Sequence, residues 1–206
     1  GYPRDHLTEY DIKTRTRRDL GRIGSVNAQC LFLDRKHRVW TTSDYGHLMR
    51  FDPDRAGGGR LERSPYILPH IPPVQTGWHS VFYDVAGSPE GDCVYAVPWN
   101  AASLLLRIWP EEGEWGRVEN LGQTTPPHDL TLPENYFMDH AGGLVFGPDG
   151  MLYYVASRWQ GEMPQFDRSR TLAKANGVRE IDGVLYRFDP KTLQREQVAL
   201  LERPDA

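Results

Sequence analysis

The chain has 206 residues, 39% of them apolar and 25% charged, with a formal net charge of −4. These values fit one or two soluble globular domains with a sizeable core, and a pI near 6.0 argues against a general nucleic-acid binder. No apolar run approaches the roughly 18 residues that a membrane-spanning helix needs. The first six residues lack the basic-then-apolar pattern of a secretory signal, as a processed chain also would. Two cysteines, Cys30 and Cys93, exclude a disulfide-dense scaffold, and their apolar surroundings mark them as buried free thiols rather than a bridge. The 20 Gly, 16 Pro, 6 Trp, 10 Tyr and 7 Phe suit many short strands joined by turns and disfavour a helix bundle.

Leu7 to Ile23 opens the chain with two predicted strands around Glu9-Tyr10-Asp11-Ile12-Lys13-Thr14. The basic run from Lys13 to Arg18 falls in their turn and reads as a solvated edge device rather than an anion site. Next, Cys30 to Leu33 turns through Asp34-Arg35-Lys36-His37 into Val39 to Thr42, and a second hairpin carries Arg50-Phe51-Asp52-Pro53. Val81 to Tyr83 then turns through residues 87–91 into Cys93 to Val97, followed by Arg107-Ile108-Trp109-Pro110. Leu144 to Phe146 turns through Gly147-Pro148-Asp149-Gly150 into Met151 to Val155. Beyond a long insertion at 158–182, Arg187-Phe188-Asp189-Pro190 repeats the earlier motif and turns into Gln197 to Leu201. The one helix candidate, around Thr171 to Asn176, is short and polar and belongs with that loop.

Two hairpins make a four-stranded antiparallel unit of about 40–50 residues, the size of one propeller blade. The expected fold is therefore all-β: the outer half of a first blade at 1–26, then blades at 27–76, 77–137 and 138–206. About three and a half blades do not close a ring, which typically needs about four to eight. An open arc leaves apolar blade faces in water. The expectation is an arc of a six- to eight-bladed ring, its remaining blades coming from a longer chain or a second copy.

The pattern of an apolar strand, Gly147-Pro148-Asp149-Gly150, Leu152-Tyr153, a variable loop and Leu185-Tyr186-Arg187-Phe188-Asp189-Pro190-Lys191-Thr192 resembles blades of the streptogramin-lyase, gluconolactonase and NHL-like propellers. It is also similar to the seven-bladed propeller polysaccharide lyases and their rhamnosidase relatives. The similarity covers most of the chain as a repeat and dictates turns rather than chemistry. It implies that loops leading into each innermost strand share one face with those joining the second and third strands, and that function gathers there.

Two of the loops leading into innermost strands end in histidine, at His79 and His140. Histidine suits a general base near neutral pH and also metal coordination. A lone histidine in such a place is ordinarily a satisfied hydrogen-bonding residue; two at comparable positions make a shared site the competing reading. Tyr45, Trp99, Tyr136 and Trp159 lie in or beside loops of the same face, with Asn100 next to Trp99. Their rings suit stacking on sugars, or alternatively plugging of the channel. Arg158 offers a guanidinium for bidentate pairing with a carboxylate, against the alternative of a solvated surface arginine.

These residues suggest a lyase that cleaves an acidic poly- or oligosaccharide by β-elimination without a required cofactor. Arg158 would neutralise the uronate, His79 or His140 would take the proton, and Tyr45 or Tyr136 would protonate the leaving oxygen. The lactonase resemblance implies a divalent metal instead (calcium, magnesium or manganese) on His79, Asp139 and His140, although Asn27-Ala28-Gln29 brings no carboxylate to the corresponding place in the first complete blade. The rival class is a non-catalytic platform for protein or glycan. No nucleic-acid or membrane partner is expected, and few cysteines with a polysaccharide substrate are compatible with a secreted or periplasmic protein.

Overall fold

Short side-chain oxygens close the hairpins by capturing backbone N–H groups of their own turns. In three of the four outer hairpins this is the aspartate before the turn: Asp11 Oδ1 accepts from Lys13 and Thr14 at 2.8 and 3.1 Å, Asp52 Oδ1 from Asp54 at 3.1 Å, and Asp189 Oδ1 from Lys191 at 2.8 Å. In the inner hairpins Asp34, Ser88 and Asp149 do the same. The Asp-Pro repeat is thus a repeated turn with a physical cause. Gly59 sits at φ +99°, where a side chain would be strained and would strike the Phe51 ring.

The computed structural model describes residues 5–24, 30–43, 46–69, 81–99, 104–126, 140–160 and 179–201. Strands β1 (Asp5–Asp11) and β2 (Thr16–Gly24) form a two-stranded sheet. Three four-stranded antiparallel meanders follow. The first comprises β3 (Phe32–Leu33), β4 (Val39–Thr42), β5 (His47–Asp52) and β6 (Arg60–Ile67). The second comprises β7 (Val81–Gly87), β8 (Val94–Trp99), β9 (Leu104–Trp109) and β10 (Arg117–Gln123). The third comprises β11 (His140–Phe146), β12 (Leu152–Gln160), β13 (Arg179–Phe188) and β14 (Arg195–Leu201). The protein is all-β, an arc of three four-stranded blades preceded by half a blade.

The core lies between consecutive sheets. Phe32, Trp40 and Leu48 of the first meander pack against Phe82, Val94, Ala96, Leu106 and Ile108 of the second. Cys93, Tyr95, Val97 and Leu105 face the other way, onto Leu144, Leu152, Tyr154, Tyr186 and Phe188 of the third. The middle sheet is therefore buried on both faces, which is why β8 and β9 are apolar throughout except for Arg107, where a half-exposed strand would alternate. Polar contacts fix the third sheet as well: Tyr154 Oη donates to Thr124 O at 2.8 Å and accepts from Arg195 Nε at 2.5 Å, while burial pushes its phenol up to about 12.

Four details depart from the expectations. β12 and β13 run into the presumed insertion, pairing Arg158 with Ile181, Trp159 with Glu180 and Gln160 with Arg179. The ladder continues past a register shift near Ala156, so Arg158 and Trp159 are strand residues. Thr171 to Asn176 lie outside the described residues. In the basic run, Arg18 is not simply solvated: it pairs with Glu9 at 2.8 Å and donates through Nη1 to Gly58 O at 2.7 Å, joining the half-blade to the next sheet. The first inner strand is only Phe32–Leu33, because Cys30 O accepts the Thr41 hydroxyl at 2.9 Å. Finally, both cysteines are free, but Cys30 is half-buried while Cys93 is buried.

Two buried charges lock the first meander. Asp34 accepts from Arg38 Nε at 2.6 Å and Trp40 Nε1 at 2.8 Å, with its side chain 0% exposed. Burial alone would raise its carboxyl; the hydrogen bonds from Trp40 and Arg38 outweigh it and hold Asp34 below its ordinary value. Arg50 lies between Trp40 and Trp115, its Cζ 5.3 and 4.5 Å from the ring centroids, while donating to Glu62 and to Glu114 O.

Asp34→Ala is expected to cost about 2–4 kcal/mol in urea unfolding, since it strands Trp40 Nε1 and leaves Arg38 unpaired. The wild type should gain the Asp34 contribution fully above the unfolded carboxyl range of about 4 and lose it as pH falls through the lower folded value, so the Asp34→Ala difference shrinks in acid. Arg50→Lys should lose most of what Arg50→Met loses in the same measurement, because an ammonium does not span Glu62, the Glu114 carbonyl and both indoles.

Candidate functional site

The tight turns closed by Asp34, Ser88 and Asp149 occupy one end of the meanders. Antiparallel pairing carries the opposite strand ends to the other rim. Trp99, the last residue of β8, pairs with Val81, the first of β7. His140, the first residue of β11, pairs with Ser157 of β12, one residue before Arg158. The backbone thus brings Trp99, His140, Arg158 and Trp159 to the same rim. Tyr45, His79, Asn100, Tyr136 and Asp139 lie outside the described residues.

Close to this rim the inner strands of successive sheets are cross-linked by polar groups. Cys30 Sγ donates to Tyr83 O at 3.0 Å, and Thr42 Oγ1 accepts from Phe82 N at 2.8 Å. One sheet further on, Asp84 Oδ2 accepts from Leu144 N at 2.9 Å, while its Oδ1 takes its neighbour Val85 N at 2.8 Å. Gly142 leaves room for the Tyr83 ring, which a Cβ there would meet at 3.2 Å. Cys30, Asp84 and Gly143 hold corresponding positions in or just before the three inner strands, each two residues before the residue opposite Trp40, Tyr95 or Tyr153.

The electrostatics limit what this cluster does chemically. Burial, and then the nearby Asp84 charge, push the Cys30 thiol up, so it stays protonated at neutral pH and is no thiolate nucleophile. Sequence reasoning passed over Asp84, although a carboxylate between Tyr83 and Val85 in an apolar strand was a usable signal. His47, at the start of β5, has its Nδ1 2.9 Å from Ser64 O, and His6 pairs with Asp19 at 2.8 Å; both are structurally satisfied.

No group of three or more His, Cys, Asp or Glu residues able to hold a metal ion occurs among the described residues. Of the expected ligand set, His79 and Asp139 lie outside those residues. A cavity of about 150 Å³ opens instead at the turn end, between the second and third meanders, lined among others by Ser88, Asp92, Cys93, Tyr95 and Arg107. Arg107 there is engaged by Glu119 at 2.6 Å and Pro190 O at 3.2 Å, and burial pushes the Cys93 thiol up. That cavity therefore brings neither an uncommitted guanidinium nor a thiolate to a ligand.

Neither a protein-family model nor a curated protein sequence matches this chain.

Asp84→Asn should move the pH profile of Cys30 alkylation to lower pH, because the neighbouring negative charge is removed while burial remains. Peptide-resolved iodoacetamide labelling across pH 7–10 reads this directly; an unchanged profile would show that the carboxylate does not act on the thiol.

Proposed function

We propose that this chain is part of a β-propeller enzyme that cleaves an acidic poly- or oligosaccharide by β-elimination. The observation that carries the reading is the register of β11 on β12. In it His140 pairs with Ser157, the residue before Arg158, at the rim where the strand ends also carry Trp99 and Trp159. A histidine, an arginine and two tryptophans at neighbouring strand ends are residue types that suit an anionic sugar ring better than a neutral ligand.

In the proposed reaction Arg158 pairs with the uronate carboxylate and withdraws charge from it, which acidifies the adjacent C–H. His140, or His79 from the neighbouring blade, removes that proton. The electron pair forms the new C=C bond as the C–O bond to the leaving sugar breaks, and Tyr45 or Tyr136 protonates the departing oxygen. The balance needs no oxidant and no external nucleophile.

The test is absorbance of the unsaturated product when the protein is incubated with a panel of uronate-containing glycans. Activity is expected on at least one acidic glycan and on none of the neutral controls. His140→Ala should lower kcat by about 10²–10⁴-fold if it is the base. Chelation of divalent ions should leave the rate unchanged; loss of activity on chelation would favour the metal-dependent lactonase-type reading. Glycan binding without turnover, insensitive to His140→Ala, would replace the lyase with a binding platform.

A further inference from the structure

The four sheets carry one cross-strand ion pair at the same rung of their outer hairpins. The pairs are Glu9–Arg18, Arg50–Glu62, Arg107–Glu119 and Arg187–Glu196, the first with its charges exchanged. In three of them the arginine also leaves its own sheet. Arg18 Nη1 donates to Gly58 O at 2.7 Å, Arg50 Nη1 to Glu114 O at 2.6 Å, and Arg107 Nη1 to Pro190 O at 3.2 Å. Every acceptor is a backbone carbonyl in the turn between the third and fourth strands of the following sheet.

Arg187 has the pair, at 2.6 Å from Glu196, but its described partners, Glu196 and Tyr153, lie on its own sheet. Its side chain is 41% exposed, against 4% for Arg50 and 17% for Arg107 between full meanders, while Arg18 of the two-stranded half-blade is 46% exposed although linked. The apolar residues around it follow suit. On this face Val145 is 58% exposed, where its counterpart Phe32 in the first meander is 8% exposed, and Leu201 is 43% exposed; Tyr153 is half-buried, whereas Trp40 and Tyr95, which hold its rung in the preceding sheets, are 0% and 2% exposed beneath the next sheet.

We infer that the open face of β11–β14 seats one further four-stranded blade of this same repeat, whose outer turn presents a backbone carbonyl to Arg187. Continuity with the two inter-sheet interfaces already formed carries this assignment. The series repeats in position, donor atom and acceptor type, and its last donor is set up in the same way. A second copy docking by its β1–β2 hairpin is a poorer occupant. The outward face of that hairpin carries His6, hydrogen-bonded to Asp19, together with Thr8 and Tyr10, and only two strands would cover an apolar face four strands wide. The inference is independent of the catalytic reading and survives its failure.

The test extends the full chain after Ala206 with a duplicate of its own residues 68–126, a connection plus one complete meander. Val145→Cys reports on the face through its alkylation rate, resolved by peptide mapping so that Cys30 and Cys93 serve as internal references. Leu201→Cys is a second reporter should the first variant fold poorly. Extension is expected to slow labelling at least about tenfold, because reagent then reaches the thiol only when the blades part. Arg187→Glu should restore the fast rate in the extended chain and change nothing in the unextended one, with Arg187→Lys intermediate. Labelling that extension leaves unchanged, or an extended chain indifferent to Arg187→Glu, overturns the inference. So does labelling of the unextended chain that slows as its concentration rises, which would make a second copy the occupant.

Discussion

A twisted four-stranded sheet that is apolar on both faces needs a neighbour on each, and the rest of this molecule follows from that need. Among the described residues only the middle meander has it in full. Its strands send Val94 and Ala96 one way and Cys93, Tyr95 and Val97 the other, so a single strand contributes to two cores at once. The sheets on either side are each completed on one face by the middle one. Hydrophobic burial of this kind is non-directional. It explains why the sheets stack and leaves their mutual angle open.

Directional contacts supply the angle. At the inner edge, Thr42 with Phe82 and Asp84 with Leu144 hold successive strands at hydrogen-bond distance. At the outer edge the long arginine side chains reach across, joined by Arg38 to Pro110 O, while Arg35 to Glu90 O links the inner-hairpin turns. A short link inside and a long one outside define a wedge, and a series of wedges makes an arc. The rim that carries His140 and Arg158 lies at the ends of strands that these links hold.

Much of this was legible beforehand. Asp-Pro and Gly-Pro-Asp-Gly turns are local chemistry, and runs such as Leu104 to Leu106 announce burial wherever they occur, so the meanders and their order could be read residue by residue. The half-blade was legible too, despite the exchange of Glu9 for an arginine. Contacts between blades were hidden because they end on carbonyls, which every residue possesses: nothing in Gly58, Glu114 or Pro190 marks an acceptor. Arg18 therefore passed for a solvated charge. The extension of β12 through Trp159 escaped notice because Gly161 and Pro164 follow closely and suggested a loop. Of the candidate site, hairpin counting put Trp99, His140, Arg158 and Trp159 on one face, the last two as loop residues where the ladder makes them strand residues, whereas Asp84 and Cys30 act through partners on another sheet that no spacing in the chain reveals.

The choice of a main-chain oxygen as the receiving group also bears on how such a chain diverges. A link between two side chains ties two positions together, and a change at one demands a change at the other. Here the demand falls on one arginine per blade and its glutamate, while the receiving turn is free to carry glycine, glutamate or proline, as these three do. Duplicated units can drift almost independently and still fit one another. That freedom accounts for a repeat whose architecture is regular while its sequence is only loosely so.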